Sequence, residues 1–335
     1  MKEQSIIISA CNGNIGSYMC EYILANTDYN IIGTFHSTNH TFNLSELYKT
    51  NRFKAHQLDI TDKERLTNLI KLVKPAYFIN FAGITSVVDS WKNPASYLQT
   101  NAEPLIHILE AVKDFVPDCR VFSAGSIEQN NNNSIYGMSK QVAEIICNLY
   151  KEKYNLYVVH GKLGNCESYR RSNTFVTKKI TEGVIKIYHS IKKGENFEPI
   201  YLGNLESEKN WCHACDIVNG IWKMLNQTKE VKNYSLVGMK NYSVLQFLQL
   251  CLNKIDIVNS YYNNEKRQVR AFINGQYGFR TVAQVQDKFY RPYSPSNIKN
   301  VDMLAYSELG WYPEMELKDI VADMISWDLQ NFKKV

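Results

Sequence analysis

Ser5-Ile-Ile-Ile-Ser-Ala10, then Cys11-Asn12-Gly13-Asn14-Ile15-Gly16 and the run from Tyr18 to Leu24, is the stretch that decides the fold. A short apolar strand, a glycine loop and a helix, in that order, form a dinucleotide-binding unit. Gly13 and Gly16 let the backbone approach a pyrophosphate, and the helix N-terminus meets it with N–H groups and the positive end of its dipole. Ala10 stands where the pattern's first glycine belongs, so the fingerprint rests on two glycines. The loop follows the first strand of the chain, which favours this reading over an ordinary strand-to-helix turn.

Outward from that unit, strands and helices alternate. A second strand spans Asn30 to Phe35 and a third Arg52 to Leu58. Asp59 follows, and a Thr61-x-x-Glu64 capping box opens a helix with Leu66, Leu69, Ile70 and Val73 on one face. A fourth strand (Ala76 to Phe81), a long helix over much of Ala95 to Val116, a fifth strand (Arg120 to Ala124) and a sixth (Leu156 to His160) complete the series. This order predicts an α/β fold, a doubly wound parallel (Rossmann) sheet with ligands beyond the carboxyl ends of its strands. From Lys162 onward the pattern is less regular and richer in Tyr, Trp and Asn, which predicts a smaller carboxyl-terminal substrate lobe. Residues 1–164 are expected to form the Rossmann domain, with 205–240 folding back onto it; 165–204 and 241–335 are expected to form the lobe.

The 335 residues, 44% hydrophobic, can bury the core of a medium-sized enzyme. A net charge of +5, scattered along the chain, argues against a nucleic-acid groove and leaves room for a small phosphate-bearing ligand. No apolar run is long enough for a membrane and no signal peptide precedes Ser5, so a cytoplasmic protein is expected. Eight cysteines without a disulfide-like spacing agree with a reducing compartment. Cys212-His213-Ala214-Cys215 lacks a second cysteine pair, and no metal is expected.

The chemistry concentrates between the fifth and sixth strands. Tyr136-Gly-Met-Ser-Lys140 opens an apolar-periodic stretch (Val142, Ile145, Ile146, Leu149), which sets Tyr136 and Lys140 one helical turn apart on one face. A lysine cation there lowers the pKa of a phenol that would otherwise titrate near ~10, making it a usable base. Ser126 and Glu128 lie just upstream. A hydroxyl, a phenol and an ammonium beside a dinucleotide loop predict oxidation of an alcohol with a nicotinamide cofactor. Thr34 to Thr41 contains no carboxylate to grip a ribose diol, while His36, Ser37 and Thr38 offer donors to a 2′-phosphate. NADP is therefore expected, with NAD as the alternative. Asp59 is expected to receive the adenine amino group.

Longer stretches carry a resemblance. Asn165-Cys-Glu-Ser-Tyr-Arg-Arg-Ser-Asn-Thr-Phe-Val-Thr-Lys-Lys-Ile180 is similar to the NHESPRRG and TFVTRKI runs of the GDP-mannose 4,6-dehydratases, within the extended short-chain dehydrogenase/reductases. Tyr201-Leu-Gly-Asn-Leu205 with Trp211-Cys-His-Ala214, Phe289-Tyr-Arg-Pro292 and Leu309-Gly-Trp-Tyr-Pro313 resemble further segments of that family. The resemblance implies a lyase acting on a GDP-sugar or other nucleotide sugar, a bound NADP regenerated at each turnover, and a homodimer or homotetramer. It implies that Tyr136 takes the C4 hydroxyl proton, Lys140 holds the ribose and phenolate, Ser126 hydrogen-bonds the reacting oxygen and Glu128 serves the elimination. Cofactor contacts are expected at Gly13, Asn14, Ile15, Gly16, His36, Ser37, Thr38, Asp59, Ile60, Phe81, Ala82, Gly83, Tyr97, Tyr136, Lys140 and Arg171. Substrate contacts are expected at Thr85, Ser126, Asn165, Val176, Lys179, Lys209 and Arg291.

The chain also departs from the family. Gln129 to Ile135, seven residues, replaces a longer loop between glutamate and tyrosine, and Ala10, Ile84, Pro104, Cys166 and Lys209 replace family residues. Two other readings therefore stand beside the dehydratase: a C4 oxidoreductase or epimerase of the same fold, which needs no carboxylate at position 128, and a non-catalytic binding protein with a relic cofactor site. Trp211 and Trp311 are expected to pack rather than to stack on a base.

Overall fold

Ile6, Ile7 and Ile8 lie fully buried in β1 (Ser5–Ser9), near the middle of a seven-stranded sheet. The computed structural model describes residues 4–131, 134–273, 277–290 and 303–332. They divide into two units: Met1–Cys166 with Ala214–Val237 and Val301–Pro313, and Glu167–His213 with Gly238–Asn300 and Glu314–Val335.

In the first unit β1 leads through α1 (Asn14–Asn26) to β2 (Asn30–Phe35) and then to β3 (Phe53–Gln57). After α2 (Lys63–Val73) the chain crosses to the other side of β1, placing β4 (Tyr77–Asn80) next to it. Helices α3 (Pro94–Asn101) and α4 (Glu103–Phe115) then precede β5 (Arg120–Ala124), and α5 (Ile135–Tyr154) leads to β6 (Val158–Leu163). A further strand, Tyr234–Leu236, pairs with β6, giving the order Tyr234–Leu236, β6, β5, β4, β1, β2, β3, parallel throughout. The expected doubly wound parallel sheet is thus present, with its switch of direction between β1 and β4. Covered on both faces, the central strands carry unbroken apolar runs. Ile7, Phe78 and Val121 meet Leu66, Ile70 and Ile108 from α2 and α4.

Several local expectations are corrected. The cap of α2 is Asp62, which accepts the Arg65 N–H at 3.0 Å, and Thr61 does not serve. Its N–H and hydroxyl are held instead by Asp59 Oδ1 at 2.9 and 2.7 Å, a local turn that competes with capping. The long helix is broken at Ala102 into α3 and α4. Helix α5 begins at Ile135 on a Ser134 cap, and it buries Ala143 and Cys147 while Ile145 and Leu149 stay 53% and 58% exposed. The strand Tyr234–Leu236 was too short to show a period of its own.

The second unit has its own core. Helices Val176–Lys193, Val244–Asn253 and Leu317–Asn331 contribute Val184, Phe247 and Val321, and a four-stranded sheet contributes Val269, Ala271 and Val282. That sheet runs Ser260–Asn263, Gln268–Ile273, Gly278–Val285, Ile200–Leu202, antiparallel except for the last pair. Its strands show no clean apolar alternation in the sequence, because Phe272 and Phe279 sit on the outward face.

Candidate active site

The site is built where β5 ends. Gly125 extends the strand by donating to Gly161 O at 2.8 Å, and Ser126 starts a tight turn in which its Oγ accepts the Glu128 N–H at 3.2 Å. A 3-10 turn over Ile127–Asn131 follows, and Ser134 caps α5 by accepting the Gly137 N–H at 2.9 Å. A Cβ on Gly137 would lie 2.6 Å from the Glu128 carbonyl oxygen. The first turn of α5 therefore rests directly on the Glu128 backbone, which brings residue 128 beside the helix of Tyr136 despite so short a loop.

Tyr136 is buried, with its ring edge-on to Tyr97 at 6.4 Å, and the Tyr97 hydroxyl donates to Ser86 O at 2.6 Å. One turn on, Lys140 is 5% exposed and its Nζ donates to Ala124 O at 2.8 Å. Burial pushes its pKa down to about 8. A Cβ on Gly83 would stand 3.3 Å from that Nζ and 2.7 Å from Asn101 Oδ1, so only glycine passes there. The loop after β4 is fixed from two sides. Ser9 Oγ donates to Asn80 Oδ1 at 2.6 Å and accepts the N–H groups of Phe81 and Ala82 at 3.0 and 3.1 Å. Asn101 accepts from Ile84 N at 2.8 Å, and its amide nitrogen donates to Ile84 O at 3.0 Å and Ser139 Oγ at 2.9 Å. Thr85 lies exposed on the same loop. Ser126, Glu128, Tyr136, Lys140, Tyr97 and Gly83 are thus gathered by backbone and side-chain contacts within one unit.

The glycine loop forms a cradle. Gly13 N donates to Ala10 O at 3.0 Å, and a Cβ on Gly16 would lie 2.2 Å from the same oxygen. Ala10 takes φ 49°, the left-handed conformation for which glycine is the usual choice. Helix α1 starts at Asn14 on Gly13, with no side-chain cap and no acidic residue in its first turn. Its positive end is left to an anion, and the loop fits a dinucleotide pyrophosphate. Asn14 is anchored to Cys166 O at 2.9 Å.

Beyond β2, His36 is exposed, with Nε2 3.4 Å from Asp59 Oδ2. Against the upward push of partial burial, the Thr61 hydrogen bonds and the neighbouring His36 hold the Asp59 carboxyl below the usual range. Asn12, absent from the expected site residues, ties this loop to the glycine loop. Its Nδ2 donates to Ser37 O at 2.9 Å and Asn39 O at 2.7 Å, and Asn43 donates to Asn12 O at 2.9 Å.

In the second unit Arg171 lies over the Phe175 ring at 3.5 Å, its Nε 3.4 Å from Glu167 Oε2. Burial pushes the Glu167 carboxyl up, opposed by the Arg171 charge and the Thr177 hydroxyl, which donates to it at 2.6 Å. Val176 opens its helix, and Lys179 Nζ sits 3.4 Å from the centre of the Phe289 ring. Burial and then the Lys288 charge lower the Lys179 pKa. Lys209 lies in the short pairing with Tyr242. Arg291 falls outside the described residues. Trp211 packs on Phe247 at 5.1 Å, and Trp311 is buried with Nε1 donating to Asp216 O at 2.8 Å. Ser9, Asn12, Asn101 and Gln129 went unread in the sequence, because each acts by holding a backbone group and none belongs to a reactive motif.

The doubly wound parallel sheet and its glycine loop, with the matches that follow, make the chain an extended short-chain dehydrogenase/reductase. Within that class the chain belongs to the GDP-mannose 4,6-dehydratase family, whose description it matches over residues 7–324. It is 30% identical over 358 residues to GDP-mannose 4,6 dehydratase of Drosophila melanogaster, covering 99% of this chain and 88% of that one. To GDP-mannose 4,6-dehydratase of Vibrio cholerae serotype O1 it is 28% identical over 361 residues, covering 99% and 95%. Among solved structures, the fold is similar to dTDP-glucose 4,6-dehydratase from Bacillus anthracis in complex with NAD, with a TM-score of 0.77, 16% identity and 98% of each chain covered. It is also similar to UDP-glucuronic acid 4-epimerase from Bacillus cereus, with a TM-score of 0.76, 18% identity, and 98% and 99% covered. No helix among the described residues is long and apolar enough to cross a membrane.

Proposed function

We propose that this chain is an NADP-dependent nucleotide-sugar 4,6-dehydratase, a lyase acting on a GDP-linked hexose or a related sugar. One observation carries the reading: Glu128 is retained in a turn with Ser126 and is backed by Gly137 of the Tyr136 helix, although the intervening loop is short. An oxidoreductase or epimerase has no use for a carboxylate there. A nicotinamide held beside Tyr136 and Lys140 would supply reversible hydride exchange with the sugar. Tyr136 takes the C4 hydroxyl proton, with Ser126 hydrogen-bonded to that oxygen and Lys140 favouring the phenolate. Glu128 then takes the C5 proton, made acidic by the new ketone, and gives a proton to the departing C6 hydroxyl, which leaves as water. With hydride delivered to C6, one proton, the equivalent of the one Tyr136 took from the C4 hydroxyl, returns to C5, so the sum is loss of one water with no net redox change.

The absence of a carboxylate from Thr34 to Thr41 supports NADP over NAD, with His36, Ser37 and Thr38 at the 2′-phosphate. Asn165, Thr85, Val176, Lys179 and Lys209 are the proposed substrate contacts, the lysines meeting the diphosphate through charge-assisted bonds. A cytoplasmic homodimer or homotetramer is the proposed form. Supporting an assembly, Met138, Ile145 and Leu149 fall seven and four positions apart on α5, one exposed apolar stripe. Incubation with GDP-mannose and related GDP-sugars, read by mass spectrometry, tests the function. Loss of one water is expected. Glu128→Gln should stop that loss and spare C4 oxidation; undiminished water loss from this variant refutes the role of Glu128.

A further inference from the structure

Behind the Ser126–Glu128 turn runs a line of polar side chains that the chemistry above does not use, buried at Gln129, His160 and Ser123 and half-buried at Glu144 and Lys162. Gln129 is 1% exposed. Its amide nitrogen donates to Glu144 Oε2 at 2.7 Å, and Glu144 Oε1 lies 3.1 Å from Lys162 Nζ. Its amide oxygen accepts the Ser126 N–H at 3.0 Å and stands 3.1 Å from His160 Nε2. The other ring nitrogen of His160 is 3.3 Å from Ser123 Oγ.

These contacts admit one consistent placement of protons. A carboxylate only accepts, so the Gln129 nitrogen must face Glu144 and its oxygen must face Ser126 and His160. Nε2 of His160 then carries the hydrogen, and Nδ1 accepts from the Ser123 hydroxyl. Burial, with the charges of Lys140 and Lys162, pushes the His160 pKa down to about 3, which keeps the ring neutral at working pH. Gly125 is pressed onto the pair: a Cβ there would lie 2.2 Å from His160 Nε2 and 2.7 Å from Gln129 Oε1. The Gln129 amide oxygen therefore sets where the chain leaves β5. Through Ser126, whose hydroxyl accepts the Glu128 N–H, it sets the turn that carries both the hydroxyl and the carboxylate.

We propose that Gln129 is a positioning residue which, braced by His160, Glu144 and Lys162, holds the Ser126–Glu128 turn in register for elimination. This rests on the dehydratase reading above. A purely space-filling side chain would serve packing equally well, whereas a positioning hub must respond to exchange of donor and acceptor. Gln129→Glu alone sets two carboxylates against each other. Combined with Glu144→Gln it reverses the pair: the acid at 129 accepts from Ser126, His160 and the amide introduced at 144, whose oxygen faces Lys162.

The test compares wild type, Gln129→Glu and Gln129→Glu/Glu144→Gln in the full chain. It measures kcat and KM for water loss from a GDP-hexose that wild type dehydrates, and amide hydrogen exchange of the Ser126–Glu128 segment. Gln129→Glu should lower kcat by about 10- to 100-fold with KM within about twofold and speed exchange of that segment, and the double variant should recover kcat to within about threefold and slow the exchange again. Wild-type kcat and exchange in Gln129→Glu overturn the proposal, as does a double variant that is folded but not rescued. Should the reversed pair not fold, Gln129→Met/His160→Leu decides, with a packed hub that leaves the Ser126 N–H without its acceptor. Faster exchange there supports the proposal and unchanged exchange overturns it. Failure of wild type to dehydrate any GDP-sugar refutes the function instead, and the exchange arm still reads the hub.

Discussion

Gly137 is backed against Glu128 so closely that an added methyl would lie 2.6 Å from the Glu128 carbonyl oxygen. The atom struck is backbone, so the turn must move. Gly137→Ala is expected to cost about 1–3 kcal/mol of stability, measured by denaturant unfolding, and to lower kcat far more than it raises KM. A variant with unchanged kcat would show that the placement of Glu128 does not depend on this contact.

Ala10 and Gly16 make a paired prediction about the dinucleotide loop. Ala10→Gly removes a left-handed alanine, worth about 1–2 kcal/mol, and adds unfolded-chain entropy, so a net gain of roughly 0–1 kcal/mol is expected. Gly16→Ala should do the reverse, because its Cβ would meet Ala10 O at 2.2 Å. Thermal unfolding checks both, and equilibrium dialysis against NADP should show binding retained in the first and lost in the second.

Lys140 makes a signed prediction with pH. Its folded-state pKa near 8 lies below the ordinary lysine value of ~10.4, so between these limits the unfolded chain binds more protons and this contribution to stability rises with pH. The penalty is fully present below pH ~8. Lys140→Met is thus expected to be inactive yet about 1–3 kcal/mol more stable at pH 7, its advantage shrinking toward pH ~10. A constant difference between the two unfolding curves would contradict the assignment.

The α5 stripe predicts an effect on assembly. Ile145→Glu places a charge on an exposed position, which costs a lone monomer little. In an assembly that buries the stripe it should shift the mass in analytical ultracentrifugation to that of one 38.8 kDa chain. An unchanged oligomer would put the interface elsewhere.

The sheet was legible because its strands are apolar runs separated by helical periods, and β2 and β5 coincide with their sequence reading from end to end. The outer pieces were not. Tyr234–Leu236 is only three residues long, and the four-stranded sheet of the second unit turns aromatic side chains outward. At the site, the four-residue spacing of Tyr136 and Lys140 sufficed to place them on one helix face, whereas the apolar stretch Val142, Ile145, Ile146 and Leu149 did not mark the face that is buried. What escaped were residues whose work is done on backbone groups: Ser9 on Phe81 and Ala82, Asn101 on Ile84, Gln129 on Ser126. Ser9 and Asn101 act across distant segments, and Gln129, though only three residues from Ser126, is oriented by Glu144 and His160 further along the chain; local pattern holds no signal for such contacts. Thr61 shows the converse, a local motif outcompeted by a nearer hydrogen bond to Asp59.

The Asn12 amide, bound to the carbonyls of Ser37 and Asn39 while Asn43 holds its own, makes two segments some twenty-five residues apart behave as one part. An engineer wishing to recode ribose preference could not transplant residues 36–39 alone. On the proposed reading of His36, Ser37 and Thr38, the graft would need its asparagine latch on both sides, or the imported segment would arrive without the geometry that holds it.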